Sequence, residues 1–216
     1  MMDPQAGPNF SGDGTVLDFY FEFSSPYAYF ASLNVEALCA RHGLELAWKP
    51  IMLGGIFKHT GAKPLLGDGM RGEYATMDCQ RWARRHGIPF QLPSPFPVNS
   101  LKAARGVLYF WDRSCLAAYI HACFDACWAE GRDLFEEGTM ADIVAGLGEE
   151  VEEFSAAIAA PEIKQRLIAE TETARLRGVF GAPTFFYGDE MVWGNDRMGL
   201  LEELIAEDLQ SRSVGG

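Results

Sequence analysis

The chain lacks a C-x-x-C pair, a long apolar run and the excess of basic residues that a polyanion partner requires. Its five cysteines, Cys39, Cys79, Cys115, Cys123 and Cys127, are an odd number in a chain with no export signal, so a disulfide framework is not expected. Cys123 and Cys127 lie one helical turn apart with His121 nearby. That is the spacing of a metal site and equally that of free cysteines buried in an apolar helix; the second reading is preferred, and no metal is expected. Lys and Arg number 18 against 30 Asp and Glu, a net charge of -12. This argues against nucleic acid as a partner, because phosphate binding needs a basic surface to displace counterions. No stretch approaches the roughly 20 apolar residues of a membrane-spanning helix, and Met1 to Thr15 has neither the basic start nor the apolar middle of a signal peptide. The expectation is a cytoplasmic protein with no membrane partner, whose residues 1–15, rich in Gly, Pro and Asp, form a flexible leader.

What is present is enough for a sizeable core: 216 residues, 48% hydrophobic, the size of one domain or of a domain with a large insertion. Val16 to Phe23 is a dense apolar run with Leu17, Phe19, Phe21 and Phe23 in alternation, the pattern of a largely buried strand. Ser25 and Pro26 then give a helix start, with Gly43 as its stop. Leu44, Leu46 and Trp48 alternate up to Pro50 as a second strand, completing a βαβ unit whose catalytic end lies where the first strand hands over to the helix. From about Tyr74 to Arg177 the period is helical, broken by a proline-rich loop from Pro89 to Pro97. Period two returns at Thr184 to Tyr187 and Met191 to Trp193, a hairpin around Gly188-Asp189. A last helix is expected from about Arg197 to Leu209. The order βαβ, helices, ββα is that of a thioredoxin-like α/β fold interrupted by an all-helical insertion. The boundaries read as 16–55 and 178–210 for the thioredoxin-like part and 56–177 for the helical one.

In that fold the start of the first helix stabilises a reactive thiolate. Here the place reads Ser25-Pro26-Tyr27-Ala28, which cannot form a disulfide, so dithiol chemistry at this site is excluded. A Ser hydroxyl at a helix N-terminus can instead help stabilise the thiolate of a bound molecule, glutathione being the obvious one. The local signal alone is also that of a plain N-cap. Ala182-Pro183-Thr184 precedes the hairpin, where a cis proline would turn the backbone before it toward the site; a trans proline opening an edge strand is the other reading. Gly194-Asn195-Asp196-Arg197 offers free N–H groups and a carboxylate within one turn, suited to an amino acid's charged ends or simply to a helix cap. Lys58 to Pro64, with Arg71 after it, concentrates positive charge on an acidic protein, suiting an anionic substrate or a solvated loop. His86 reads as a complement to a helix C-terminus rather than as a base.

From about Leu17 to Leu204 the chain resembles the 2-hydroxychromene-2-carboxylate isomerases, sister group of the kappa-class glutathione transferases. The resemblance rests on Asp18-Phe19-Tyr20-Phe21-Glu22-Phe23-Ser24-Ser25-Pro26-Tyr27, Gln80-Arg81-Trp82-Ala83-Arg84, Phe180-Gly181-Ala182-Pro183-Thr184 and Trp193-Gly194-Asn195-Asp196-Arg197. It implies glutathione as cofactor, with Ser25 facing the sulfur and Ala182, before a cis Pro183, pairing its backbone with the cysteinyl part. Trp193, Gly194, Asn195 and Asp196 would hold the γ-glutamyl end. Lys58 matches a family lysine near the aromatic acid substrate, and Lys58 with Asn99 would support a developing enolate. Where the family usually has Gly-Asn, this chain has Gly61-Ala62; Arg71 matches a cationic position of the kappa transferases. The implied activity is glutathione-dependent isomerisation in aromatic catabolism, by a homodimer. Two other readings remain: a kappa-like transferase or peroxidase, and a glutathione- or peptide-binding protein without chemistry.

Overall fold

Alternation in the first apolar run sorts its side chains onto two faces of a sheet. In β1 (Val16–Phe21), Leu17, Phe19 and Phe21 enter one buried cluster with Trp48, Phe185 and Tyr187, while Tyr20 turns the other way, to Ile51, Ile56 and Phe186. The computed structural model describes residues 14–67 and 69–215, so the expected leader, up to residue 13, lies outside the described residues. β2 (Glu45–Pro50) runs parallel to β1, pairing Trp48 with Phe19; β3 (Thr184–Tyr187) runs antiparallel on its other side, pairing Phe185 with Phe19. β4 (Glu190–Trp193) completes the order β2-β1-β3-β4. The Phe19 and Phe185 rings stack with centroids 5.0 Å apart, a contact worth about 1 kcal/mol beyond the area it buries.

α1 (Pro26–His42) joins β1 to β2 and ends, as the sequence indicates, at Gly43. Between β2 and β3 the chain is helical: α2 (Leu53–Thr60), α3 (Gly69–His86), α4 (Leu101–Tyr109), α5 (Leu116–Phe124), α6 (Glu137–Gly146), α7 (Val151–Ala159) and α8 (Pro161–Leu176). Phe110, Tyr119, Phe124 and Trp128 of this segment join the same buried cluster as the sheet face. Two features there escape a periodicity reading. Residues Asp125–Ala129 form a π-helical turn at the end of α5, and the proline loop carries cis bonds at Ser94-Pro95 and Phe96-Pro97.

The final helix is longer than the sequence suggests: a 3-10 turn, Asn195–Arg197, leads into α9 (Met198–Gly215). Its apolar stripe fades after Leu209, but the buried Asp208 accepts the Tyr187 hydroxyl at 2.6 Å and pairs with Arg212, one turn on, at 2.6 Å. Polar bonds therefore extend a helix whose amphipathic pattern has ended. Burial and the Asp208 bond push the Tyr187 phenol up to about 12. Among the described residues no helix is long and apolar enough to cross a membrane.

Candidate functional site

The turn between β1 and α1 places Ser25 at the N-cap of α1, with extended backbone (φ -97°, ψ 111°). Its Oγ accepts the Ala28 N–H at 3.2 Å, a cap worth about 1 kcal/mol. Pro26, in the first helical position, has no N–H to satisfy, and no acidic side chain lies in the first turn to compete for the positive end of the helix. A negative charge brought here meets the positive end of the helix dipole. Ser25 is buried, and its single proton goes to the carbonyl oxygen of Ala182 at 2.9 Å. The N-cap bond and the bond to Ala182 are thus both made by the same hydroxyl.

Ala182 is held opposite Ser25 by its neighbours in the chain. The Ala182-Pro183 bond is cis, the Pro183 carbonyl accepts the Gly194 N–H at 3.0 Å, and the Thr184 hydroxyl donates to the Gly181 carbonyl at 2.8 Å. The Trp193 indole lies over Gly181 so closely that a Cβ there would come within 2.7 Å of its Nε1, and Trp193 and Phe180 set their rings 5.0 Å apart. Gly194 has φ 105°, a conformation L side chains rarely adopt. It starts the 3-10 turn that packs against α1. In that turn Arg197 bonds the Trp193 carbonyl at 3.0 Å and the Asp196 carboxylate at 3.2 Å.

Asn195 is 7% exposed, and its amide Nδ2 is buried with no hydrogen-bond partner among the described residues. An orphaned buried donor is costly, and it fits an acceptor supplied by a ligand such as a carboxylate. With the Ser25 hydroxyl, the Ala182 backbone and the exposed Asp196 carboxylate, these residues fit the donor and acceptor set of an amino-acid-like thiol such as glutathione.

The structure brings together Ser25, Ala182, Pro183, Trp193, Gly194, Asn195 and Asp196. None of the bonds just named involves Lys58, Arg71 or Asn99, which stand on other elements. Lys58 is exposed in the last turn of α2 and Arg71 exposed near the start of α3. Asn99 precedes α4, where its Oδ1 accepts the Leu101 N–H at 3.2 Å. Gly61 caps α2, and Ala62 gives its N–H to the Thr60 hydroxyl at 3.3 Å. His86 closes α3, its ring stacked with Phe30 and Trp82. Burial pushes the Cys39 thiol up to about 11 and those of Cys79 and Cys123 up to about 12. His121 turns to Glu36 at 2.6 Å, and among the described residues no cluster of three or more His, Cys, Asp or Glu is placed to hold a metal ion.

A second layer behind the turn escapes the sequence reading. The Glu22 carboxyl, 4% exposed, accepts the hydroxyls of Ser24 and Ser100, and burial pushes it above the usual carboxylate range. The Phe23 carbonyl accepts the Trp128 indole N–H at 2.7 Å, and the Ser25 N–H donates to the Glu22 carbonyl at 3.0 Å. The one signal in the sequence is a single carboxylate inside the run Phe19-Tyr20-Phe21-Glu22-Phe23.

Comparison with known proteins agrees with this fold. The model of the DSBA-like thioredoxin domain matches residues 16–206, and the 2-hydroxychromene-2-carboxylate isomerase of Pseudomonas putida is 34% identical over 87% of this chain and 92% of its own length. The chain belongs to the 2-hydroxychromene-2-carboxylate isomerase family. A solved structure of such an isomerase superposes with a TM-score of 0.85 at 32% identity, covering 93% of this chain and 99% of the other. The family's kinship with kappa transferases appears too: human glutathione S-transferase kappa 1 is 27% identical over 88% of this chain and 91% of its own.

Proposed function

We propose that the chain is a glutathione-dependent isomerase that interconverts 2-hydroxychromene-2-carboxylate and trans-o-hydroxybenzylidenepyruvate. In this reading it acts in the cytoplasm as a homodimer, with residues 16–55 and 178–210 as the thioredoxin-like unit and 56–177 as the helical insertion, which brings Lys58 and Asn99 to the substrate and Arg71 to glutathione. One observation carries the proposal. A serine occupies the thiolate-stabilising end of α1, its hydroxyl 2.9 Å from the carbonyl that precedes a cis proline.

When bound, glutathione supplies a thiolate that adds to the conjugated ring system of the chromene acid, allows the ring to open and a former double bond to turn, and leaves again. The chain's own residues provide position and charge. Ser25 swings its proton from the Ala182 carbonyl to the sulfur, and the released carbonyl accepts a backbone N–H from the cysteinyl unit. Asn195 gives its unpaired Nδ2–H to the γ-glutamyl carboxylate, and Asp196 takes the ammonium. Trp193 and Gly194 shape that end, Arg71 supplies a cationic contact to the tripeptide, and Lys58 with the Asn99 amide supports the developing enolate. Because the sulfur is regenerated, the protein's work is orientation and electrostatics.

The test is an assay of the purified protein on the chromene acid with and without glutathione. Isomerisation that requires glutathione and consumes no thiol is the expected result. Net thiol consumption makes it a transferase like its kappa relatives, and glutathione binding without turnover of this substrate reduces it to a binding protein.

A further inference from the structure

We propose that Glu22 is a positioning residue for Ser25: its buried carboxyl ties the strand-to-helix turn to the start of α4 through Ser100, so that the helical segment sets where the Ser25 hydroxyl points. The inference rests on the role proposed for Ser25 and assigns its support.

Glu22 sits three residues before Ser25, and the two are joined directly by the bond from the Ser25 N–H to the Glu22 carbonyl, 3.0 Å long. Burying a carboxyl is unfavourable unless its oxygens are hydrogen-bonded, and an apolar side chain would fill the same space without that cost. Here both oxygens are used, one by Ser24 within the turn and one by Ser100 from a different part of the fold.

Ser100 makes the second half of the case. It occupies the N-cap position of α4, where a serine ordinarily accepts a backbone N–H of the first turn. No such side-chain bond forms. Asn99 takes the Leu101 N–H instead, and the Ser100 hydroxyl, 1% exposed, donates to Glu22. The same turn is gripped a second time from the helical segment. Trp128, fully buried in the π-helical turn, donates its indole N–H to the Phe23 carbonyl at 2.7 Å. π-helical turns are rare and occur frequently at functional sites. Three consecutive residues, Glu22, Phe23 and Ser24, are thus fixed by hydrogen bonds before the chain reaches Ser25.

The test compares Glu22→Ala, Glu22→Gln, Ser100→Ala and Ser25→Ala in the full chain. Three readouts are taken: steady-state kinetics, calorimetric affinity for glutathione, and ultraviolet titration of the bound glutathione thiol. An amide can accept the Ser100 hydroxyl and donate to Ser24, so Glu22→Gln is the rescuing variant. Expected is a fall in kcat of roughly 10- to 100-fold in Glu22→Ala and Ser100→Ala, the scale of a misplaced catalytic group. Glutathione affinity should stay within about threefold, so that the loss lies in kcat rather than in KM. The titration midpoint of the bound thiol should rise in both variants, and Glu22→Gln should return both measurements close to the parent values. Should Glu22→Ala fail to fold, Ser100→Ala, which removes one hydroxyl, carries the test. The proposal is overturned by a Glu22→Gln that folds but is as impaired as Glu22→Ala, by losses confined to glutathione affinity, or by an unmoved thiol midpoint. If Ser25→Ala is impaired while the Glu22 and Ser100 variants are not, this inference alone falls. If Ser25→Ala is itself silent, the proposed role of Ser25 falls and takes the inference with it.

Discussion

The Ser25 hydroxyl donates to the carbonyl oxygen of Ala182 at 2.9 Å, joining residues 157 apart in sequence. One proton serves two purposes: it ties Ser25 to Ala182 and, in the proposed function, becomes the donor to a bound sulfur. Ser25→Ala removes that donor and the N-cap together. Turnover should fall about 100-fold, the scale of losing one donor to a developing negative charge, and stability by about 1 kcal/mol. Kinetics and urea unfolding measure the two effects separately.

Ser25→Cys tests the electrostatics of the same place. The native thiols are pushed up by burial, Cys39 to about 11 and Cys123 to about 12, and should react slowly with a disulfide reagent at neutral pH. A thiol at the start of α1 is stabilised as thiolate. The variant should show one additional fast-reacting thiol per chain and form a mixed disulfide with oxidised glutathione, seen by mass spectrometry. A reaction rate equal to that of a free thiol would mean the helix end contributes nothing.

Gly181 has no Cβ because Trp193 occupies its space, a Cβ there falling 2.7 Å from the indole nitrogen. Trp193 is partly exposed, so Gly181→Ala should be accommodated by swinging the indole outward with little loss of stability. In the proposed site that movement disrupts the γ-glutamyl end. Glutathione affinity should weaken roughly tenfold, about 1.4 kcal/mol, with a change in tryptophan fluorescence, while the melting temperature stays near that of the parent.

Gly106 is the contrasting case. A Cβ there would meet Phe154 at 2.9 Å and the Tyr119 hydroxyl closer still, and both rings are buried. Tyr119 also bonds the Ala103 carbonyl at 3.0 Å. Gly106→Ala should destabilise by about 1–3 kcal/mol through overpacking, measured as a lower urea midpoint.

Glu22 gives the fold a pH signature. Burial holds its carboxyl above the ordinary value of 4.5, with the Ser100 and Ser24 bonds opposing. A raised acid remains protonated in the folded chain where the unfolded chain has already ionised. Its stabilising contribution is therefore full below the unfolded value and is lost as pH rises through the folded one. Glu22→Gln does not ionise, so its melting temperature relative to the parent should climb as pH rises above about 4.5 and then level off. A difference that is flat with pH contradicts the raised carboxyl.

Much of the architecture is legible in the amino-acid order alone. Alternation identifies β1, β2 and the β3–β4 hairpin because each strand is short, rich in aromatic and β-branched residues and bounded by turn signals, and the Ser-Pro pair marks the helix start because capping is a local rule. Ser25, the cis Pro183 and the Asn195 turn are found by position in the fold. What stays hidden depends on contacts between distant segments. The roles of Ser100 and Trp128 arise from where α4 and the π-helical turn dock, and no local pattern distinguishes a capping serine from one that bonds Glu22. The end of α9 escapes for a similar reason, since Asp208 and Arg212 sustain it through polar bonds that amphipathic periodicity does not count.

The pairing of β1 with β3 places the two halves of the site on neighbouring strands drawn from opposite ends of the described chain. Such contacts are costly to close, because the entropy of the long intervening loop is lost before the contact forms. A growing chain that has made β1, α1 and β2 holds Ser25 at a helix end without the Ala182 carbonyl that accepts its proton, and the two meet only after β3 has been added. In the proposed function, competence to bind glutathione is therefore acquired as a single late step of synthesis, when the second segment joins the first.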